Sequence, residues 1–270
     1  MKTKLDDIEV EYRVAGDGEP VVMVHGLAQD HTMWRSQQDD LTDFTTYAYD
    51  IRGFGETTDG SPSGTLEQLG EDLVRFLSQV SGSAHCVGFS LGGTIALWAA
   101  AKHPELVRSA VVLGTSSVVG RSAAKFYASR IALVESGDAP AIRDAVRDDT
   151  AGALATDVVD LESQTEYRVA AVGEGRGYIN AASAMARLNQ EPLTPLLAEI
   201  TSPVTVVGAE HDSFCPRKAA DILLEGLPQA SYVEIPSVGH LMVEETPDVS
   251  TKVIREALYA DPGPTPEEQR

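Results

Sequence analysis

Apolar residues recur along this chain in short blocks, each ending abruptly in Gly, Ser or Asp. The blocks are VVMVHG at 21–26, TTYAYDIRG at 45–53, HCVGFS at 85–90, AVVLGT at 110–115 and PVTVVGAEHD at 203–212; a last one, SYVEIPSVGH, covers 231–240. Continuous apolar runs of this length suit strands buried on both faces, as in a parallel sheet covered by helices. The start of the chain differs. Ile8 to Ala15 alternates apolar and polar positions and Gly16 to Pro20 supplies a turn, which predicts an antiparallel hairpin at a sheet edge.

Helical spacing fills the gaps. Leu66, Leu69, Leu73 and Leu77 share a face, and Thr65 with Gln68 predicts a capping box at its start. Leu91 to Lys102 is rich in Ala and Leu and stops before His103-Pro104. Ala219 to Leu227 and Val249 to Tyr259 complete the set. This alternation predicts an α/β fold with a mostly parallel, doubly wound sheet.

The alternation breaks between about Ser116 and Pro192, a stretch of helical character with Phe126 to Val134 and Ala141 to Arg147 as its predicted pieces. An insertion after a strand end sits over the carboxyl edge of the sheet, where α/β folds bind ligands. The expected organisation is a core of residues 1–116 and 193–260, a helical cap over 117–192, and a disordered Pro- and Glu-rich tail over 261–270.

Composition narrows the class. With 43% hydrophobic and 23% charged residues in 270, wholesale disorder is excluded. No apolar run approaches the roughly 20 residues needed to span a bilayer. The opening MKTKLDDIEVEYR holds no apolar signal core, so a cytoplasmic protein without a membrane partner is expected. A net charge of -20 argues against nucleic-acid binding, which needs clustered Lys and Arg. The basic residues are mostly Arg, and an acidic, Lys-poor surface suits high salt, so a halophilic source is an expectation. Two cysteines are too few for a disulfide framework. Cys86 is expected as a small buried hydrophobe; Cys215, close to Asp212, is read either as bordering a pocket or as a reduced bystander.

The candidate chemistry begins at Gly88-Phe89-Ser90-Leu91-Gly92-Gly93, between a strand-like and a helix-like run. A sharp strand-to-helix turn there holds Ser90 in a strained conformation, and small residues on either side let the chain pass. The alternative is a Gly-rich helix start with Ser90 as its N-cap. A serine hydroxyl needs a base to take its proton. His240, after the last strand, is the best placed; His25, His31, His85, His103 and His211 have local structural explanations. The orienting acid falls between nucleophile and histidine in chain order, as Asp212 does; the pattern Gly208-Ala209-Glu210-His211-Asp212-Ser213 favours it over the nearby competitor Glu210. Two main-chain donors are expected for a developing oxyanion, the N–H groups of Leu27 and Leu91.

These residues, with His25-Gly26-Leu27, Asp50-Ile51-Arg52-Gly53-Phe54-Gly55 and Gly239-His240, make the chain resemble the α/β-hydrolase superfamily along nearly its whole length. Within it the chain looks most like 3-oxoadipate enol-lactonase and related small esterases, on LAQDHTMW at 27–34, TLEQL at 65–69 and GYINAASAMARL at 177–188. The resemblance implies a helical cap, no cofactor or metal, and hydrolysis of a small-molecule ester or lactone through an acyl-enzyme. Glu56 stands where such relatives often carry Ser, and the cap from Gly120 to Gly175 departs most from them. A carbon–carbon hydrolase of a ring-cleavage product and a perhydrolase share the triad. A receptor that retains the fold without turnover is the alternative of another class. Epoxide hydrolases and haloalkane dehalogenases need a carboxylate nucleophile, which Ser90 is not.

The cap brings Tyr127, Tyr167, Tyr178 and Met185 alongside Arg121, Arg130, Arg176 and Arg187. An arginine facing the pocket favours a carboxylate-bearing substrate. The competing expectation is that these arginines offset an acidic surface.

Overall fold

A computed structural model describes residues 1–260; the tail expected at 261–270 lies outside the described residues. The chain opens with β1 (Lys2–Leu5) and β2 (Ile8–Ala15), antiparallel, with Leu5 opposite Ile8. Asp6, at φ 52°, closes the tight turn between them. The expected hairpin therefore exists, but it pairs Ile8–Ala15 with the strand before it and not across 16–20. β3 (Glu19–Val24) is separated from β2 by β4 (Phe44–Tyr49), which runs antiparallel to β2 and parallel to β3. The glycines explain the detour. A Cβ at Gly16 or Gly18 would lie 2.1 Å from the carbonyl oxygen of Phe44 or Asp43, so the chain crosses the start of β4 at a distance only glycine allows.

From β3 onward the sheet is parallel, through β5 (Ala84–Phe89), β6 (Val107–Leu113), β7 (Val204–Ala209) and β8 (Ser231–Ile235). The eight strands are ordered β1-β2-β4-β3-β5-β6-β7-β8. Val21 and Met23 pack on one face of the sheet, Val22 and Val24 on the other, and each face meets its own apolar cluster. Burial on both faces is why these strands read as unbroken apolar runs.

The helices follow in chain order. A 3-10 turn at His31–Trp34 leads into α1 (Arg35–Asp40). α2 (Leu66–Phe76) starts at Thr65, whose Oγ1 accepts the Gln68 N–H at 3.2 Å. The Gln68 side chain turns to the Ser63 N–H at 2.8 Å, so half of the expected capping box forms. α3 (Leu91–Lys102) is buried all round from Leu91 to Ala101, which removes any polar face. α4 (Arg121–Ser136), α5 (Ala139–Ala153), α6 (Leu161–Val172) and α7 (Arg176–Arg187) all lie between β6 and β7. A two-pronged Arg130–Asp149 pair at 2.7 and 2.8 Å ties α4 to α5. Arg143 and Arg147 reach Glu162 and Glu166 to tie α5 to α6. α8 (Arg217–Gly226), the single turn α9 (Met242–Glu245) and α10 (Pro247–Ala260) are the last helices of the described residues. Among the described residues no helix is long and apolar enough to cross a membrane.

Candidate active site

Ser90 sits where β5 turns into α3, with φ 51° and ψ −116°, a conformation that costs free energy for any residue bearing a Cβ. The glycines around it let α3 start against the strand ends. A Cβ at Gly88 would lie 2.4 Å from the Gly92 backbone, and one at Gly92 would lie 2.1 Å from the carbonyl oxygen of Val24. A hydrogen bond from Ser90 N–H to the Leu113 carbonyl, 2.8 Å, pins the turn to the neighbouring strand. The Ser90 hydroxyl makes no helix-capping bond, which removes the N-cap alternative.

Three side chains meet in sequence. His240 Nε2 lies 3.1 Å from Ser90 Oγ, and His240 Nδ1 lies 2.8 Å from Asp212 Oδ2. The other oxygen of Asp212 accepts the N–H groups of Phe214 and Cys215 at 2.9 and 2.7 Å. Burial pushes the Asp212 carboxyl up, but His240 and those N–H groups outweigh it and hold it below the usual carboxylate range. An ionised Asp212 accepts the Nδ1–H and leaves Nε2 as the acceptor facing Ser90. The ring itself is held between Phe89 and Phe214, centroids 5.0 and 5.3 Å away. Glu210, the competing acid, spends its carboxylate on the Ser237 N–H at 2.8 Å.

Leu27 lines the same cavity as Ser90, and Leu91 follows Ser90 directly. Among the described residues neither N–H hydrogen-bonds within the chain, so both are unspent donors. The loop of Leu27 is shaped by His25, whose Nδ1 bonds the Gly26 carbonyl at 2.8 Å while Nε2 accepts the Ile51 N–H at 2.9 Å. Burial pushes the His25 pKa down, which suits a neutral ring that donates on one side and accepts on the other. Asp50 binds both the N–H and Nδ1 of His31, at 2.7 and 2.8 Å. Arg52 forks onto Asp72 with two bonds of 2.8 Å. Asp30, His31 and Asp50 offer ligand atoms within 4.8 Å of one another, the one such metal-sized group among the described residues. Those atoms are already engaged, Asp50 with His31 and Asp30 with Thr32 and Tyr167.

A cavity of about 340 Å³ opens above Ser90 and His240. Its roof comes from α4 to α7, through Tyr127, Val146, Asp149, Arg168, Tyr178 and Met185. Of the residues singled out in the sequence, Tyr127, Tyr178 and Met185 line it. Tyr167 does not, because its hydroxyl is turned to Asp30. None of the four expected arginines reaches the cavity wall. Arg121 and Arg187 are exposed, Arg176 pairs with Asp59 at 2.6 Å, and Arg130 is committed to Asp149. The arginine that does line it is Arg168, which helical spacing in α6 gave no reason to select. Its hydrogen-bond partner is the Thr150 hydroxyl at 3.0 Å, and burial pushes its pKa down. Cys215 also lines the cavity, and burial pushes its thiol up, so it stays protonated.

Glu245 was not singled out either. One oxygen accepts the Gly239 N–H at 2.7 Å, and the other accepts the N–H groups of Ala155 and Thr156 and the Thr156 hydroxyl, at 2.9, 2.8 and 2.8 Å. It ties the loop of His240 to the end of α5, where a Cβ on Gly239 would meet the Ala153 carbonyl at 2.3 Å. Nothing in the spacing of Glu244-Glu245 tells what either carboxylate meets.

A mostly parallel sheet of this order, with a serine raised between β5 and α3, defines a class, and comparison with known families assigns the same one. The chain matches the family of the alpha/beta hydrolase fold over residues 19–247 and belongs to it. Pyrrolizixenacetamide deacetylase of Xenorhabdus hominickii is 27% identical over 97% of this chain and 99% of its own length. The 2-(acetamidomethylene)succinate hydrolase of Mesorhizobium japonicum is 25% identical over 94% of this chain and 92% of its own. Among solved structures, the enol-lactonase of Burkholderia xenovorans LB400 superposes with a TM-score of 0.86 at 22% identity, covering 96% of this chain and all of that one. The chain is a hydrolase of this family.

Proposed function

We propose that the protein is a serine hydrolase that cleaves a small carboxylic ester or lactone through an acyl-enzyme, with Ser90 as nucleophile, His240 as base and Asp212 as the acid that orients it. The observation that carries this reading is the unbroken contact series Asp212–His240–Ser90 beneath a cavity, beside two unspent main-chain donors. Ser90 Oγ bonds to the acyl carbon as His240 Nε2 takes its proton. The carbonyl electron pair moves onto oxygen, where the N–H groups of Leu27 and Leu91 receive the charge; one such donor is worth roughly 3–4 kcal/mol. The pair returns as the C–O bond to the alkoxide breaks, and His240 gives the alkoxide its proton. Water then repeats the steps on the acyl-enzyme and frees Ser90. With a lactone the alkoxide stays attached, so the product is a hydroxy or keto acid.

The helical segment 117–192 is proposed as the cap that selects the substrate, since α4 to α7 roof the cavity. Arg168 is the group there that would meet a carboxylate on the substrate. The named substrate of the Mesorhizobium relative is a dicarboxylate with an amide bond, which supports testing anionic substrates and amides beside esters and lactones. Replacing Ser90 with Ala is expected to leave the circular dichroism spectrum unchanged and to lower ester and lactone turnover by several orders of magnitude. Turnover equal to that of the wild type would overturn the assignment.

A further inference from the structure

A chain of side-chain bonds runs from α9 to the loop of Leu27. The Gly26 N–H donates to Gln29 Oε1 at 3.2 Å, and Gln29 Nε2 donates to Glu244 Oε1 at 2.5 Å. The amide orientation is forced. Gly26 offers only a donor, so the Gln29 oxygen must face it, which leaves the NH₂ group for a carboxylate oxygen. Gln29 is buried, with 1% of its surface exposed. The loop has little freedom to answer otherwise: Ala28 sits at φ 58°, and a Cβ on Gly26 would lie 2.7 Å from Gln29 Oε1 and 2.8 Å from the Phe89 ring. The peptide between these two constrained residues carries the Leu27 N–H.

Stability does not account for Glu244 being there. Its second oxygen is enclosed without a hydrogen-bond partner, a cost that an apolar residue would avoid. The neighbouring Glu245 already holds the His240 loop. Around Glu244 stand Arg168 and Tyr167 of α6 and Glu245 of its own turn; its carboxylate meets its own backbone N–H, and the side chain that hydrogen-bonds to it is Gln29. Glu244 lies outside the wall of the catalytic cavity, so contact with substrate does not explain it either.

We infer that Glu244 and Gln29 are positioning residues: by holding the Gly26 N–H, one peptide before the Gly26 carbonyl that His25 Nδ1 bonds, they set Gly26 so that the Leu27 N–H points where the oxyanion forms. The inference rests on the acyl-enzyme reading of Ser90. A relay of this kind acts on the transition state and leaves ground-state binding alone.

The test uses the full chain with an activated ester and an arylboronic acid, which forms a tetrahedral adduct on serine. Glu244→Leu removes the acceptor and is expected to lower kcat about tenfold or more, with KM within about twofold, since a small misplacement of a catalytic group is costly. Boronic-acid affinity should fall by a similar factor. Glu244→Gln keeps an oxygen for Gln29 and is expected to recover kcat to within about threefold of wild type. A merely structural role would shift melting without the kcat-against-KM split or the rescue. If Glu244→Leu does not fold, Glu244→Met removes the same acceptor outside the cavity wall with a more adaptable side chain and is read by the boronic-acid affinity. Labelling of Ser90 by a fluorophosphonate in the wild type separates the two failures. An unlabelled Ser90 in an active enzyme sinks both readings. A labelled Ser90 with kcat unchanged in Glu244→Leu, or with Glu244→Gln as impaired as Glu244→Leu, overturns the relay alone.

Discussion

At the scale of single residues, the chemistry depends on groups held in unfavourable surroundings. Burial raises the Glu244 pKa from its ordinary 4.5 to about 7. A carboxyl raised on folding contributes most below its unfolded pKa, and that contribution is lost as pH rises through the folded value. Glu244→Gln, which cannot ionise, should therefore gain stability over the wild type between about pH 5 and pH 8, by up to about 3 kcal/mol. Urea unfolding at the two pH values reads this directly, and a constant difference would contradict it. For Arg168, replacement by Met should lower the ratio of kcat/KM for an anionic over a neutral ester about tenfold, the scale of one charge-assisted hydrogen bond. That Ser90, His240 and Asp212 meet was legible in the sequence, because the turn around Ser90 and the chain order of the other two restrict the residue types; Leu27 and Leu91 were placed by position alone, and the catalytic roles of all five are proposed. Gln29, Arg168, Glu244 and Glu245 were not legible. Their meaning comes from partners far away in the chain, and a glutamate beside a glutamate gives no sign of which loop each one holds.

Among the elements, the parallel core was legible because strands buried on both faces must be apolar throughout. The amino-terminal pairing was misread because a glycine-rich turn signals a reversal without naming the strand it leads to. Gly16 and Gly18 serve a close crossing over β4 and not a hairpin. Close approach also governs α2 against α3. A Cβ on Gly70 would fall 2.0 Å from a ring carbon of Trp98, itself 8% exposed. Helix propensity favours Ala over Gly by about 1 kcal/mol, whereas overpacking a core costs about 1–3. The ring has no room to retreat, so the clash wins. Gly70→Ala is expected to destabilise the protein by about 1–2 kcal/mol in urea unfolding, and a gain in stability would show that the two helices can separate.

For the whole molecule, a net charge of -20 over 270 residues means self-repulsion that salt screens. Melting temperature should rise between low and molar potassium chloride; no change would count against the salt-adapted reading of the surface. The family was legible from end to end, but the substrate was not, since the roof over 117–192 takes its shape from packing among four helices. What joins the scales is a hydroxyl raised at a strand end, and one measurement addresses it most directly. Intact-mass and peptide analysis after fluorophosphonate treatment should place a single adduct on Ser90, formed far more slowly in His240→Ala. An enzyme that hydrolyses esters while Ser90 stays unmodified would contradict the acyl-enzyme mechanism.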